Sequence, residues 1–273
     1  MKARIVLSKR PGTLPLLLCI TLLLLLSLLL HGCKRARESY GAHRAGQFDH
    51  YILALNWQPA FCETHEEKPE CRTQSKGRFD ARHFSLHGLW PSKQDDKGRE
   101  FSYCGVSDAL RRQDRIGAWC ALPVLPLSEE MRSALTTVMP GIQSCLQRHE
   151  WLKHGTYSGL APEEYYRLSL QLVEFFADTQ FSRYVAVNVG HEVKRAEMLS
   201  AFEQDFGPGS RRQLQLWCNR INEVQTLTEV YLYLRKDLPD PLSPAALWAK
   251  GAPRIRPDCP RTFHIHAVGV DNS

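Results

Sequence analysis

Seven cysteines lie between positions 62 and 259 of this chain, at Cys62, Cys71, Cys104, Cys120, Cys145, Cys218 and Cys259, and no two of them form a C-x-x-C pair. A zinc ribbon needs that close pairing, so it does not fit. Widely spaced cysteines read instead as a disulfide framework, which persists in an oxidising compartment. The domain is therefore expected outside the cytosol, with a fold that joins segments distant in sequence. Seven is an odd number, so one thiol is left over.

The N-terminus supplies an export signal. "MKARIVLSKR" carries four basic residues, and "LPLLLCITLLLLLSLLL" runs almost unbroken from Leu14 to Leu30. A charged n-region followed by an apolar h-region marks a segment for export. Its 17 residues are many for a signal peptide and few for a membrane span, which takes about 20. Three fates stay open: cleavage to a soluble periplasmic or secreted protein, lipidation of Cys33 at the lipobox-like "LHGC", or retention of residues 1–32 as a signal anchor. Lys2, Arg4, Lys9 and Arg10 supply four of the six formal positive charges, and no acid offsets them there. The overall basic balance therefore says little about a nucleic-acid partner.

Residues 33–46, "CKRARESYGAHRAG", are small and polar and read as a linker. From residue 47 to residue 273 the pattern is that of one domain without internal repeats. "YILALNW" has the character of a buried strand ending at "QPAFC", and "RHFSLHGLWP" reads as a second, with His83, Ser85 and His87 on one face. Residues 92–127 read as loops pinned by Cys104 and Cys120. Helical periods follow in "SEEMRSALTTVM", capped by Ser128 and stopped at Pro140-Gly141, in "PEEYYRLSLQLVEFFAD" with Pro162 in its first turn, and in "KRAEMLSAFEQDFGPG". "RQLQLWC", "TLTEVYLYL" and "TFHIHAV" return to strand alternation. Strands and helices mixed without a regular β-α-β order imply an α+β fold, with a mainly antiparallel central sheet flanked by helices.

Within this frame "HEWLKHG", His149 to Gly155, resembles the metalloprotease signature H-E-x-x-H with one residue too many. A helix turns about 100° per residue, so His149 and His154, five apart, diverge by about 140°. They are poorly placed to share a zinc ion. Glu150 and His154 diverge by only about 40°, and Glu150 and Lys153 by about 60°. One face thus gathers a carboxylate, an ammonium and an imidazole. Such pairs also decorate solvated helices, where each contributes a few tenths of a kcal/mol, so the stretch alone does not define a site.

A partner occurs upstream. "FSLHGLWP" puts His87 at the end of a buried strand, before Gly88 and near Trp90. Gly88 lacks the side chain that would crowd a ligand, and Trp90 offers a flat face for stacking. Two imidazoles, a carboxylate, a fixed cation and an aromatic wall match what attack by an adjacent 2′-hydroxyl on a phosphodiester requires. One imidazole takes the proton, the other protonates the leaving oxygen, and the cation steadies the charge at phosphorus.

"FSLHGLWP" and "HEWLKHGT", in that order, resemble the two active-site segments of the T2 family of secreted ribonucleases, and "LALNWQPAFC" resembles the N-terminal strand of its bacterial periplasmic members. The resemblance runs from about Phe48 to Val268. It implies an α+β fold, no cofactor and no metal, single-stranded RNA as substrate, 2′,3′-cyclic phosphate ends, and a monomer. His154 and His87 resemble the base and the acid, although the sequence alone does not order them. Glu150 and Lys153 resemble the groups acting on the transition state, His149 a phosphate-binding histidine, and Trp90 a wall of the main base site. A non-catalytic relative exported for binding or storage is the alternative, although such proteins typically lose an active-site histidine.

One position departs from the family pattern. The second segment normally continues to a cysteine where this chain has Tyr157, and that cysteine's partner lies downstream of the first segment. The resemblance thus leaves one thiol over, with Cys120 pairing to Cys145 and Cys104 the odd one, or Cys104 and Cys120 exchanging roles. From spacing alone, Cys62 and Cys71 span one short polar loop, and Cys218 and Cys259 adjoin strands that a sheet can bring together.

Overall fold

The computed structural model describes residues 45–93, 102–244, 247–248 and 258–269. The export segment, Cys33 and nearly all of the linker lie outside these residues.

Strand β1 (His50–Asn56) pairs antiparallel with β2 (Ser85–Ser92). Between them come two short helices, α1 (Gln58–Cys62) and α2 (Pro69–Arg72), each opened by a proline that tolerates the missing N–H there. "QPAFC" is thus a helix rather than a strand end, and Cys62 bonds to Cys71 across the turn. β2 begins at Ser85, later than the sequence pattern suggests, because Phe79–Ala81 form a 3-10 turn and His83 stacks on Phe79 at 4.6 Å. The β1–β2 register slips between Ala54 and Leu55, which pair with Gly88 and Leu86. His87 is the residue left over. A bulge re-aims the side chain that it carries, and a two-residue alternation does not disclose it.

Residues 92–127 are not loop throughout. Helix α3 (Asp108–Arg115) is capped by Ser107, whose Oγ accepts from the Leu110 amide. Its sequence, DALRRQDR, has no apolar stripe of the kind that marks a packed helix, so its one buried side chain, Asp114, gives no warning. Helices α4 (Glu129–Val138), α5 (Leu146–Lys153), α6 (Pro162–Ala177), α7 (Gln180–Val187), which the sequence reading did not anticipate, and α8 (Arg195–Phe206) follow. The short strand β3 (Glu192–Lys194) lies between the last two.

Strands β4 (Leu214–Ile221) and β5 (Val224–Arg235) form a hairpin, turning at Asn222 and Glu223 with φ of 46° and 66°. β5 is the axis of the sheet: it pairs antiparallel with β1 and β4, and in parallel with β6 (Thr262–His264) through Thr226 and His264. The six strands make one mainly antiparallel sheet, and the fold is a single α+β domain.

Helix α6 explains how the sheet and helix α5 are locked together. Tyr165, Ser169, Leu172, Val173 and Phe176 recur at helical spacing and are buried against the sheet. The Tyr165 hydroxyl donates to the Leu89 carbonyl of β2 at 2.6 Å, and the Tyr166 hydroxyl to the Gln147 carbonyl of α5 at 2.5 Å. One helix therefore fixes both segments that carry the candidate residues. Cys120–Cys145 ties the loop after α3 to the residue before α5, and Cys218–Cys259 ties β4 to the segment before β6. Cys104 takes part in none of the three bonds.

Candidate active site

All six residues singled out in the two motifs line one cleft of about 460 Å³: His87, Trp90, His149, Glu150, Lys153 and His154, with Ser92, Lys93 and Tyr231. Helix α5 ends at Lys153, and His154 is its cap, at φ −119° and ψ −50°. Its N–H still donates to the Glu150 carbonyl at 2.9 Å, so the last helical turn reaches His154. Gly155 allows the turn, since a Cβ there would stand 2.4 Å from the Trp151 ring.

Glu150 is the centre of the site, buried at 1% exposure. Its Oε2 accepts from the Trp90 indole N–H at 2.7 Å, and its Oε1 faces Nε2 of His87 at 3.6 Å and Nε2 of His149 at 3.7 Å. Gly88 makes this possible. A Cβ there would lie 2.0 Å from Glu150 Oε2 and 2.5 Å from Trp90 Nε1. The glycine thus makes room for the protein's own carboxylate, where the sequence reading had it making room for a ligand.

Trp90 holds the two candidate histidines around one ring. His154 stacks on it at 4.9 Å and 26°, and His87 meets it edge-on at 5.3 Å. The settings of the two imidazoles differ. For His87, burial opposes the charge, but the hydrogen bond to Glu229 and the charges of Glu150 and Glu229 outweigh it, so its pKa rises above the ordinary histidine value. For His154, burial and the like charges of Lys153, His149 and His87 push the pKa well below that value.

Three participants have no signature in the motifs. Glu229 of β5 accepts from Nδ1 of His87 at 2.8 Å, and its other oxygen accepts from the Tyr231 hydroxyl at 3.0 Å. Asp114, fully buried, accepts from Nδ1 of His149 at 2.8 Å and from the Tyr103 hydroxyl at 2.7 Å. Trp119 stacks on His149 at 4.6 Å. The Ser107-Asp108 cap signal could have revealed the helix carrying Asp114. For Glu229, the only hint is a carboxylate in the middle of an alternating aromatic strand. Among the described residues, no group of three or more His, Cys, Asp or Glu side chains is arranged to hold a metal ion.

A second cavity of about 480 Å³ shares His87 with the first, and is lined by Glu229, Asn56, Phe61, His65, Leu86 and Trp119 among others.

Sequence and fold comparisons place the chain in a family. Residues 48–242 match the model of the ribonuclease T2 family, and the chain belongs to that family. It is 29% identical to Ribonuclease I of Escherichia coli (strain K12) over 245 residues, which is 84% of this chain and 90% of the relative. It is also 32% identical to a ribonuclease of Aeromonas hydrophila over 128 residues, or 47% of this chain and 46% of that one. Among solved structures, ribonuclease MC1 from bitter gourd seeds superposes with a TM-score of 0.53 at 20% identity, covering 80% of this chain and all of the other. An MC1 variant in complex with 5′-GMP gives 0.54 at the same identity and coverage.

Proposed function

We propose that this ribonuclease is an exported, metal-independent endonuclease that cleaves single-stranded RNA by transesterification and leaves 2′,3′-cyclic phosphate ends, with His154 as general base and His87 as general acid. One observation carries the reading: two imidazoles around a single indole are given opposite charge preferences. A base must be neutral and an acid charged at the same pH, and separating the two pKa values is how a site achieves both.

In the proposed reaction His154 takes the proton of the 2′-hydroxyl, and the 2′-oxygen forms its bond to phosphorus. The bond from phosphorus to the 5′-oxygen breaks, and Nε2 of His87 gives that oxygen its proton. Lys153 and His149 offset the charge that builds on the phosphoryl oxygens, and Glu150 holds the imidazoles on either side of it. Trp90 walls the cleft for one base, and the adjoining cavity has room for the nucleotide across the scissile bond. Single strands fit because their bases can be splayed into such pockets.

Export is supported by residues 1–32 and by three disulfides within the domain. No helix among the described residues is long and apolar enough to cross a membrane, so attachment would have to come through residues 1–32 or a lipidated Cys33. Nothing in the site requires a second copy, and we propose a monomer.

The test is to incubate the purified protein with RNA in excess chelator and identify the ends. Cyclic phosphates and full activity are expected. Loss of activity restored by a divalent cation, or 3′-hydroxyl ends, overturns the reading. The kcat/KM profile should be bell-shaped and wide. Rate rises as His154 loses its proton, below the ordinary value of about 6.5, and falls as His87 loses its proton, above it.

A further inference from the structure

We propose that Glu229 is a positioning residue for this reaction: from β5 it holds the ring of His87 so that Nε2 alone faces the scissile phosphate, and Tyr231 holds Glu229 in turn. The inference rests on His87 being the general acid.

The geometry leaves little freedom. A carboxylate only accepts, so the 2.8 Å contact between Glu229 Oε1 and His87 Nδ1 places a proton on Nδ1 in both charge states of the ring. The proton that comes and goes is then the one on Nε2, the nitrogen that faces Glu150 across 3.6 Å and opens on the cleft. The other oxygen of Glu229 is taken by the Tyr231 hydroxyl at 3.0 Å. Glu229 and Tyr231 are two apart on one strand and so share a face. Tyr231 also meets Trp90 edge-on at 5.1 Å, which joins the chain of contacts back to the wall of the cleft.

The placement is not what stability alone would choose. Glu229 is only 25% exposed at its side chain, and its hydrogen-bonding side-chain partners among the described residues are a histidine and a tyrosine. A half-buried carboxylate without a hydrogen-bonded Lys or Arg is costly, and His87 becomes its counter-ion only when protonated. Glu229 therefore favours the charged form that an acid needs, and it does so through Nδ1, leaving Nε2 to the cleft.

Other groups also face His87. Glu150 and Lys153 come from α5 and His154 from its cap, and Lys93, at the end of β2, lines the same cleft. Glu150 acts in the same direction as Glu229, and Lys153 opposes both. Removing Glu229 should therefore lower the His87 pKa without returning it to that of an isolated buried ring.

The experiment uses the full chain with Glu229→Gln and Tyr231→Phe, reading kcat, KM, the pH profile and the NMR titration of the His87 ring. Glu229→Gln keeps an acceptor and removes the charge. It should cut kcat about tenfold, as loss of a group that orients a catalytic imidazole does, with KM within about twofold. The alkaline limb should move to lower pH, and the acid limb, set by His154, should stay. Tyr231→Phe should shift the same limb in the same direction by less, which keeps the proposal testable if Glu229→Gln does not fold. An unmoved alkaline limb and an unmoved His87 titration overturn the inference. If His87→Ala keeps its activity, the assignment of the acid has failed instead. The two failures are thus distinct.

Discussion

His87 is delivered by a strand bulge and bracketed by two carboxylates, Glu229 and Glu150, whereas His154 caps a helix and is bracketed by an indole and by the positive charge of Lys153. The element that carries each ring decides what can surround it. A strand places its side chains beside those of neighbouring strands, so β5 can set Glu229 against Nδ1 from 142 residues away. A helix end brings mainly its own last turn, here Lys153. The C-terminus of a helix ordinarily favours a cation, by about 0.3–1 kcal/mol at exposed positions. At His154 burial comes first, and with Lys153 it outweighs that preference. One fold thus gives two residues of the same type opposite charge preferences by changing what surrounds each.

The largest effect should come from removing either ring. His87→Ala and His154→Ala are each expected to lower kcat/KM on RNA by on the order of 10²–10⁴-fold, the usual contribution of a positioned acid or base. They should also differ in kind. His87→Ala should erase the alkaline limb of the profile and His154→Ala the acid limb. If both variants lose the same limb, the contrast between the two settings is not what orders the reaction.

Next in size are the groups between the rings. Glu150→Gln and Lys153→Met should each reduce kcat by about 10²–10³-fold with little change in KM, as for groups aimed at charge that develops in the transition state. The comparison sharpens through their opposite signs. Losing Lys153 should raise the pKa of His154 and move the acid limb up, and losing the Glu150 charge should lower that of His87 and move the alkaline limb down. A change confined to KM would make them substrate-binding groups.

Trp90 has a smaller, divided effect. Base stacking contributes about 1–3 kcal/mol, so Trp90→Ala should weaken RNA cleavage by roughly tenfold to a hundredfold. Trp90→Phe keeps an aromatic ring but loses the N–H that holds Glu150 at 2.7 Å. It should therefore recover KM more than kcat. Full recovery of both would mean that the indole serves as a wall alone.

How much of this could be read in the sequence depends on whether a group's partner is nearby in the chain. His87, Gly88 and Trp90 stand in one run, and His149, Glu150, Lys153 and His154 in another, so both halves of the cleft were legible as motifs. The α+β class followed from the alternation of "TLTEVYLYL" and the helical period of "PEEYYRLSLQLVEFFAD". Asp114 was hidden because α3 has no apolar face to announce it and lies 35 residues from His149. Glu229 was hidden because a lone strand carboxylate is ordinarily a solvated side chain. The bulge at His87 was hidden because register belongs to two strands at once. Even Gly88 was legible only in part: its openness could be read, but the Glu150 carboxylate that fills it comes from α5.

The smallest expected effect concerns the thiol outside the three disulfides, on the helix-cap side of the comparison. Tyr157 is buried two residues after Gly155, and Cys104 lies close enough that its charge adds to burial in raising the Tyr157 hydroxyl to about 12. Tyr157→Cys should let Cys104 bond to the introduced cysteine, as peptide mapping would reveal. The gain will be modest, because the neighbouring Tyr103 is already tied down: its N–H donates to the Lys153 carbonyl at 2.8 Å and its hydroxyl to Asp114. A bond that orders an already ordered segment constrains the unfolded chain more than it improves the folded one. Tyr157→Ser leaves a similar space without a bond and is the proper reference. Against it the bonded form should gain about 2 kcal/mol, or roughly 4–8 °C in Tm at this size. The acid limb of the pH profile should not move, since burial and Lys153, rather than the Cys104 segment, set His154. Failure to form the bond would mean that residue 157 is not within reach of Cys104. A shifted acid limb would mean that the helix-cap setting yields to strain and is softer than the bulge that holds His87.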